Sequence, residues 1–141
     1  MPKLFLDANV LFAATISSSG GSAYIFELAR RHKVRLFSSS LALKEAERNL
    51  REKTDEEAVL RFYDLLEDVD IRLFSVDRKK AKKNFAKLVG EKDAPILGAA
   101  ISAEVDFLIT LDKKHFLNQK IFKTNLLIKI LTPGQFIEKF L

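Results

Sequence analysis

Four carboxylates in this sequence stand where secondary structure elements begin, end or leave a strand, and their placement predicts a shared site. Asp7 and Asp112 each follow a short apolar run, while Asp93 precedes a proline and Glu45 lies inside a helical pattern. Carboxylates gathered in one pocket repel each other and raise each other's pKa, so the pocket needs a neutralising cation. Oxygen ligands without His or Cys suit Mg²⁺ or Mn²⁺. The expected chemistry is metal-dependent hydrolysis of phosphodiester bonds, which requires no Ser, Cys or His nucleophile.

Several of these acids also have a purely structural interpretation. Asp7 suits the N-cap of the helix that follows the first strand, and Asp93 suits the N-cap of a helix with a proline in its first turn. A carboxylate can cap a helix and bind a metal at once. Glu47 is the alternative to Glu45, because acids two residues apart on a helix point to different faces.

The hydrophobic pattern alternates between short strands and longer helices. Strands are predicted over residues 3–6, 34–37, 71–76, 107–111 and 126–131. Helices are predicted over residues 10–16, 23–32, 55–69 and 134–141, and further helices begin at Ser39 or Ser40, after Asp77 and after Asp93. Periodicity assigns six Phe residues to the core and leaves Phe12, Phe116 and Phe136 unassigned. The six are Phe26, Phe37, Phe62, Phe74, Phe85 and Phe107.

Alternating strands and helices predict a parallel sheet covered on both faces, because parallel neighbours need crossover connections. The expected fold class is α/β, a three-layer α/β/α sandwich with a central parallel five-stranded sheet. In such sheets, ligands bind beyond the carboxyl ends of the strands. Asp7 and Asp112 stand at such ends, whereas Asp106 precedes its strand and is interpreted as a loop residue on the opposite side.

Size, charge and composition narrow the function class. With 141 residues and 48% hydrophobic content, the chain is expected to form one domain. It contains no Cys, which excludes thiolate catalysis and Cys-based zinc sites. No stretch approaches the roughly 20 apolar residues of a membrane span, and no signal peptide is recognised, so a cytoplasmic protein is expected. The net charge of +5 and the pI near 9.5 favour a polyanionic partner.

Four segments resemble the acidic motifs of the PIN-domain family, in the family's order and spacing. They are residues 4–11 with Asp7, residues 39–50 with Glu45, residues 92–97 with Asp93, and residues 107–112 with Asp112. The resemblance spans almost the whole chain, down to Pro133 before the last helix. It implies a single PIN-like nuclease domain over residues 1–141, of the kind found in VapC-type toxins and in RNA-processing proteins.

The resemblance also implies roles for individual acids and a set of partners. Asp7 would ligate Mg²⁺ or Mn²⁺ directly, with Glu45 and Asp93 completing the first metal site. Asp112 would orient the attacking water or help to bind a second ion. The implied substrate is single-stranded or structured RNA. A homodimer is expected, and a toxin would also bind a small antitoxin protein.

Three polar residues of the same motifs would support the acids. Asn9 would hold the first loop through side-chain hydrogen bonds, Ser39 would begin the helix that carries Glu45, and Thr110 would present a hydroxyl beside Asp112.

Basic residues near the acids are the expected contacts for RNA phosphates. They are Arg48, Lys113 and Lys114. The basic run over residues 78–87 is interpreted as the solvated face of a helix, with a track for the RNA backbone as the alternative. His32 and His115 have no partner at metal-ligand spacing and are expected to be surface residues.

Three other functions compete with a nuclease. A phosphotransfer receiver would need an acidic pair after the first strand, and a haloacid-dehalogenase-like phosphatase would need a second Asp where Asn9 stands. The third alternative is a catalytically silent module with the same fold that binds RNA or protein. The presence of all four acids favours the nuclease over each of them.

Overall fold

In the computed structural model, which describes residues 1–118, 121 and 126–140, apolar runs near the start of the chain form the centre of a sheet. The sheet has five parallel strands in the order β3-β2-β1-β4-β5, which confirms the predicted fold class. The strands are β1 (Lys3–Leu6), β2 (Arg35–Ser38), β3 (Ile71–Leu73), β4 (Phe107–Ile109) and β5 (Lys129–Leu131).

Helices cover both faces of the sheet. The helices of the described residues are α1 (Ala8–Ile16), α2 (Gly21–Arg30), α3 (Ser40–Lys53), α4 (Glu56–Asp68), α5 (Arg78–Val89), α6 (Ala94–Ser102) and α7 (Pro133–Phe140). The chain runs outward from β1 to β3 and then returns across the sheet to β4. Because such crossovers are right-handed, α1 to α4 lie on one face of the sheet, and α5 and α6 lie on the other. On the first face α1 packs against α2, α3 and α4, and on the second face α5 packs against α6.

Polar side chains set the starts of several helices. Asp7, Ser39, Asp55 and Asp77 stand at N-cap positions, and each accepts a hydrogen bond from a backbone amide in the first turn. Ser39 is the cap of α3, which therefore begins at Ser40. These caps fix the residue at which each helix begins. They therefore also fix the positions of the side chains in the first turn of each helix.

The strand predicted over residues 107–111 is two residues too long. The ladder to β5 ends at Ile109, and the backbone amide of Leu111 instead donates to Asn9 Oδ1 at 3.0 Å. The strand predicted over 71–76 likewise ends at Leu73. The strand predicted over 126–131 shrinks to β5, and its neighbours 119, 120 and 122–125 lie outside the described residues, as does Leu141 of the last predicted helix.

The core is one cluster of buried apolar residues on both sides of the sheet. The prediction that Phe74 lies inside is wrong, since 36% of its surface is exposed where β3 has ended. Phe85 is only partly buried. Phe116 and Phe136, left unassigned, are fully buried.

Helices α5 and α6 pack closely through small residues. A Cβ atom at Gly98 would lie 3.2 Å from Ala81 Cβ, so glycine lets the two helices approach. This pairing positions the loop between them, which carries Lys92 and Asp93. None of the helices in the described part of the chain is long and apolar enough to cross a membrane.

Candidate active site

Asp7 is the most deeply buried acid of the candidate site. It follows β1 directly and caps α1, with Oδ1 accepting from the Ala8 amide at 2.8 Å. Its other oxygen, Oδ2, accepts from Thr110 Oγ1 at 2.7 Å and from Asn9 Nδ2 at 3.3 Å. The carboxylate is therefore held at the carboxyl ends of two adjacent strands, β1 and β4.

Thr110 and Asn9 tie those two strand ends together. Thr110 Oγ1 accepts from the backbone amide of Asp112 at 3.0 Å and from Asn9 Nδ2 at 3.4 Å. Asn9 Oδ1 accepts from the Leu111 amide. One short network therefore fixes the segment 110–112 against the first turn of α1.

Burial raises the pKa of Asp7 from its ordinary value of 3.8 to about 7. The hydrogen bonds from Thr110 and Ala8 lower it, but not enough to offset desolvation, and the charges of Asp93 and Glu45 raise it further. A carboxylate in this state gains most from a nearby positive charge.

Asp93 occupies the N-cap position of α6, but its side chain makes no capping hydrogen bond. Its structural interpretation as a cap is therefore wrong, and the carboxylate is available to the pocket. Burial, followed by the charge of Asp112, raises the pKa of Asp93 to about 6. His115 and Lys92 lower the pKa, but only in part.

Glu45 and Glu47, the two acids that compete for one role, point in different directions. Glu45, on α3, is largely buried and lies close enough to raise the pKa of both Asp7 and Asp93. Glu47 pairs with Arg51 at 3.2 Å along the same helix. Glu45 is therefore the acid of α3 that faces the others.

Ser39 and Ser38 position α3 relative to the first strand. Ser39 Oγ accepts from the Ala42 amide at 3.1 Å, which fixes the first turn of α3. Ser38 Oγ donates to the Leu6 carbonyl at 2.8 Å, so the end of β2 is locked to the end of β1. Glu45 then lies one and a half turns into a helix whose start is fixed beside Asp7.

Asp112 pairs with His115, which the sequence placed near the site but at the surface rather than among the metal ligands. His115 Nδ1 lies 2.9 Å from Asp112 Oδ2 and 3.7 Å from Asp93 Oδ2. The His115 amide donates to Asp112 Oδ1 at 3.0 Å. Burial alone raises the pKa of Asp112, but the hydrogen bonds from His115 outweigh it and hold the pKa below its usual value.

The expectation that His115 lacks partners at metal-ligand spacing is wrong, although the residue does lie on the surface. One ligand atom each from Asp93, Asp112 and His115 lies within 4.8 Å of the others. The sequence did contain a signal for this contact, because His115 follows Asp112 by three residues. An Asp after a strand commonly accepts a hydrogen bond from the backbone amide three residues further along the chain.

Lys92 is the second residue that sequence reasoning missed. Its Nζ lies 3.0 Å from Glu45 Oε1, and the hydrogen bond and charge of Glu45 raise the pKa of Lys92. The side chain is 76% exposed, so this ion pair stands at the rim of the site. The position of Lys92 next to Asp93 in the sequence does not predict its contact with Glu45 on α3.

The predicted phosphate contacts are all exposed, as Arg48, Lys113 and Lys114 lie at the surface. An open cleft of about 560 Å³ next to His115 is lined by Lys87, Gly90, Lys114 and Asn118, among other residues. Asp106 lies at the opposite end of the strands, where Oδ2 accepts from the Lys3 amide, as its sequence position predicts.

We define the acidic pocket as Asp7, Glu45, Asp93 and Asp112. Asp7 follows β1, Asp112 follows β4, Glu45 lies in the second turn of α3 and Asp93 stands at the N-cap of α6. Donor atoms of Asp93, Asp112 and His115 lie within 4.8 Å of one another, and the charges of Asp7 and Glu45 act on the same group. Carboxylate oxygens with one imidazole nitrogen are a donor chemistry that fits a divalent cation. Burial is the main cause of the raised pKa of Asp7 and of Asp93, and the charges of neighbouring acids raise both pKa values further.

The fold has close counterparts among solved structures, at low sequence identity. VapBC2 from Rickettsia felis, bound to a DNA fragment from its promoter, is 18% identical with a TM-score of 0.66, over 92% of this chain and 98% of that one. PAE2754 from Pyrobaculum aerophilum is 15% identical with a TM-score of 0.66, over 97% and 94%. VapBC-1 from nontypeable Haemophilus influenzae is 17% identical with a TM-score of 0.62, over 94% and 98%.

The sequence itself matches a family model over a range that contains all four acids of the pocket. No curated protein matches the chain. The family model described as PIN domain matches residues 3–114, which is most of the 141 residues and runs from β1 to the segment after β4. This protein therefore belongs to the PIN domain family.

Proposed function

We propose that this protein is a Mg²⁺- or Mn²⁺-dependent endoribonuclease that acts as one domain. The observation that carries the proposal is the acidic pocket, in which four carboxylates converge at the carboxyl edge of a parallel sheet. Two of them have a raised pKa, Asp7 of about 7 and Asp93 of about 6. Concentrated negative charge of this kind is stabilised by a bound cation.

Asp7, Glu45, Asp93 and Asp112 would hold the metal ion. When bound, such an ion neutralises phosphate charge and makes water nucleophilic at neutral pH. Thr110 and Asn9 keep Asp7 directed into the pocket through their hydrogen bonds. Preorganisation of this kind matters because carboxylates that must move before binding lose affinity.

The RNA strand would approach over the rim of the pocket. Arg48, Lys113 and Lys114 are the proposed phosphate contacts, and the cleft that Lys114 lines lies next to His115. Lys92, already paired with Glu45, offers a further exposed positive charge there. Cations arranged round a cluster of acids let a polyanion reach a site that would otherwise repel it.

A role as the toxin of a toxin-antitoxin pair agrees with two of the structural neighbours, which are VapBC proteins. A small antitoxin and a second copy of the chain are the proposed protein partners, and the cytoplasm is the proposed location. Apolar side chains are exposed on neighbouring helices, at Ile16 on α1 and at Leu60 and Tyr63 on α4. The alternative is a catalytically silent member of the family that binds RNA or protein.

The nuclease proposal predicts that cleavage of single-stranded RNA requires Mg²⁺ or Mn²⁺ and stops in EDTA. Glu45→Gln and Asp7→Asn should each lower the rate by about 100-fold or more, because even partners that only orient metal ligands contribute about 10- to 100-fold. Gel-based cleavage of a labelled RNA measures both effects.

Glu47→Gln is the matched control for Glu45→Gln, since both acids lie on α3 and only Glu47 pairs with Arg51. It should cleave RNA at close to the wild-type rate. Full activity in EDTA, or in Asp7→Asn cleared of contaminating nucleases, would contradict the proposal and favour the silent binding module.

The metal-free protein should lose stability as the pH rises from about 4 to about 7. Between these values the Asp7 carboxyl is ionised in the unfolded chain but protonated in the fold, where its pKa is about 7. Asp7→Asn should therefore lose less stability over this range and equal or exceed the wild type at neutral pH. Urea unfolding in EDTA measures the difference.

Asp106→Asn is the control for this comparison, since Asp106 lies at the opposite edge of the sheet. Its stability profile should run parallel to that of the wild type. A parallel profile for Asp7→Asn as well would show that the buried carboxyl does not carry the pH dependence.

Binding of RNA by a catalytically inactive Asp7→Asn protein should weaken when Arg48 or Lys114 is also changed to Ala. Each substitution removes at most about one phosphate contact, so the slope of log affinity against log salt should fall by up to about 1. Fluorescence anisotropy at several salt concentrations measures it. Lys33→Ala, at the opposite edge of the sheet, is the control and should leave the slope unchanged. If Lys33→Ala lowered the slope as much as Arg48→Ala or Lys114→Ala, the effect would come from the net charge of the protein and not from these phosphate contacts.

The partner proposal predicts self-association at tens of micromolar. Light scattering should give a mass well above 16.0 kDa for the wild type, because the exposed apolar side chains of α1 and α4 favour burial. Leu60→Lys should shift the population toward the monomer. A 16.0 kDa species alone in the wild type would exclude a homodimer under these conditions.

A further inference from the structure

His115 is one of only two histidines in the chain, and it lies at the mouth of the acidic pocket. Its Nδ1 atom lies 2.9 Å from Asp112 Oδ2 and 3.7 Å from Asp93 Oδ2. With Asp93 and Asp112 it forms a group whose ligand atoms all lie within 4.8 Å of one another. One exposed imidazole therefore joins two carboxylates in a compact set of three donors.

The two distances from His115 to the carboxylates are compatible with a single six-coordinate ion. Adjacent ligands at about 2.1 Å from an octahedral metal are separated by about 3 Å, and opposite ligands by about 4.2 Å. The distance from His115 to Asp112 matches an adjacent pair, and the distance to Asp93 falls between the two values. In the structure, His115 Nδ1 and Asp112 Oδ2 share a hydrogen bond. The same two atoms could instead bind one cation.

The local structure holds the imidazole in this place. The His115 amide donates to Asp112 Oδ1, and the His115 carbonyl accepts from Asn118 Nδ2 at 3.0 Å. On the other side, a Cβ at Gly90 would lie 3.7 Å from His115 Cδ2, so the ring stands against the glycine that ends α5. The ring is therefore positioned by the same turn that positions Asp112.

We propose that His115 supplies a nitrogen ligand to the divalent ion that Asp93 and Asp112 hold. This inference rests on the proposed function and adds a residue outside the four acids. Nitrogen ligands favour transition ions over Mg²⁺, which prefers oxygen. A site with one imidazole therefore selects Mn²⁺ over Mg²⁺ more strongly than four carboxylates alone.

Pulsed electron paramagnetic resonance of the Mn²⁺-loaded protein tests the ligation directly. The wild type should show coupling of Mn²⁺ to an imidazole nitrogen, and His115→Ala should lose it. His32→Asn should keep it, and Asn suits that position because His32 has a φ of 56°. Because the chain has two histidines, these variants assign the signal to one residue.

Calorimetry gives a second readout that does not depend on catalysis. His115→Ala and His115→Gln should both bind Mn²⁺ about 10-fold or more weakly than the wild type, the range typical of lost metal-site partners, while Mg²⁺ affinity changes less. Glutamine keeps a hydrogen-bond donor, so normal Mn²⁺ affinity in His115→Gln would show that the ring only orients Asp112 and would overturn the proposal.

The remaining outcomes separate this inference from the proposed function. Mn²⁺ that binds the wild type, is lost in Asp93→Asn and shows no nitrogen coupling would overturn the role of His115 and leave the acidic metal site standing. A wild-type protein that binds neither Mn²⁺ nor Mg²⁺ would overturn both.

Discussion

The hydrogen bond from Thr110 to Asp7, at 2.7 Å, is the contact on which the rest of the site depends. It joins residues 103 positions apart and fixes the ends of β1 and β4 to each other. Burying a carboxylate costs free energy unless its oxygens are hydrogen-bonded, and Thr110, Asn9 and the Ala8 amide supply those bonds. The site is thus built round one acid that the fold desolvates and keeps in place.

The acids near the surface of the site have a basic partner, whereas the most deeply buried acid has none among the described residues. Asp7, the most deeply buried of the four acids, has no cation among its hydrogen-bond partners in the described residues, and burial raises its pKa to about 7. Asp112 and Glu45, nearer the rim, pair with His115 and Lys92. The Lys92 side chain is 76% exposed and that of Glu45 only 18%, so this ion pair joins the solvent-facing rim to the interior of the site.

Observed strand ends differ from the predicted ones where a side chain replaces the expected backbone partner or where an edge strand stops early. Asn9 accepts from the Leu111 amide, so β4 ends at Ile109 although the apolar pattern continues. Beyond Leu73 the edge strand has ended, so Phe74 is more exposed than its strand-like pattern predicts. Hydrophobic periodicity records which residues prefer burial, but it does not record which neighbour completes each hydrogen bond.

The sequence by itself determined the family, the parallel sheet and the local setting of Asp7 and Ser39. These features depend on apolar periodicity and on caps within a few residues, as at Asp7 and Ser39. Only the tertiary structure decided that Lys92 meets Glu45, that Asp93 leaves its helix uncapped, and that His115 reaches both Asp112 and Asp93. The contact between His115 and Asp112 is local to one turn, but the other contacts join separate elements. Packing across the whole core sets the relative placement of those elements, so no local sequence pattern encodes these contacts.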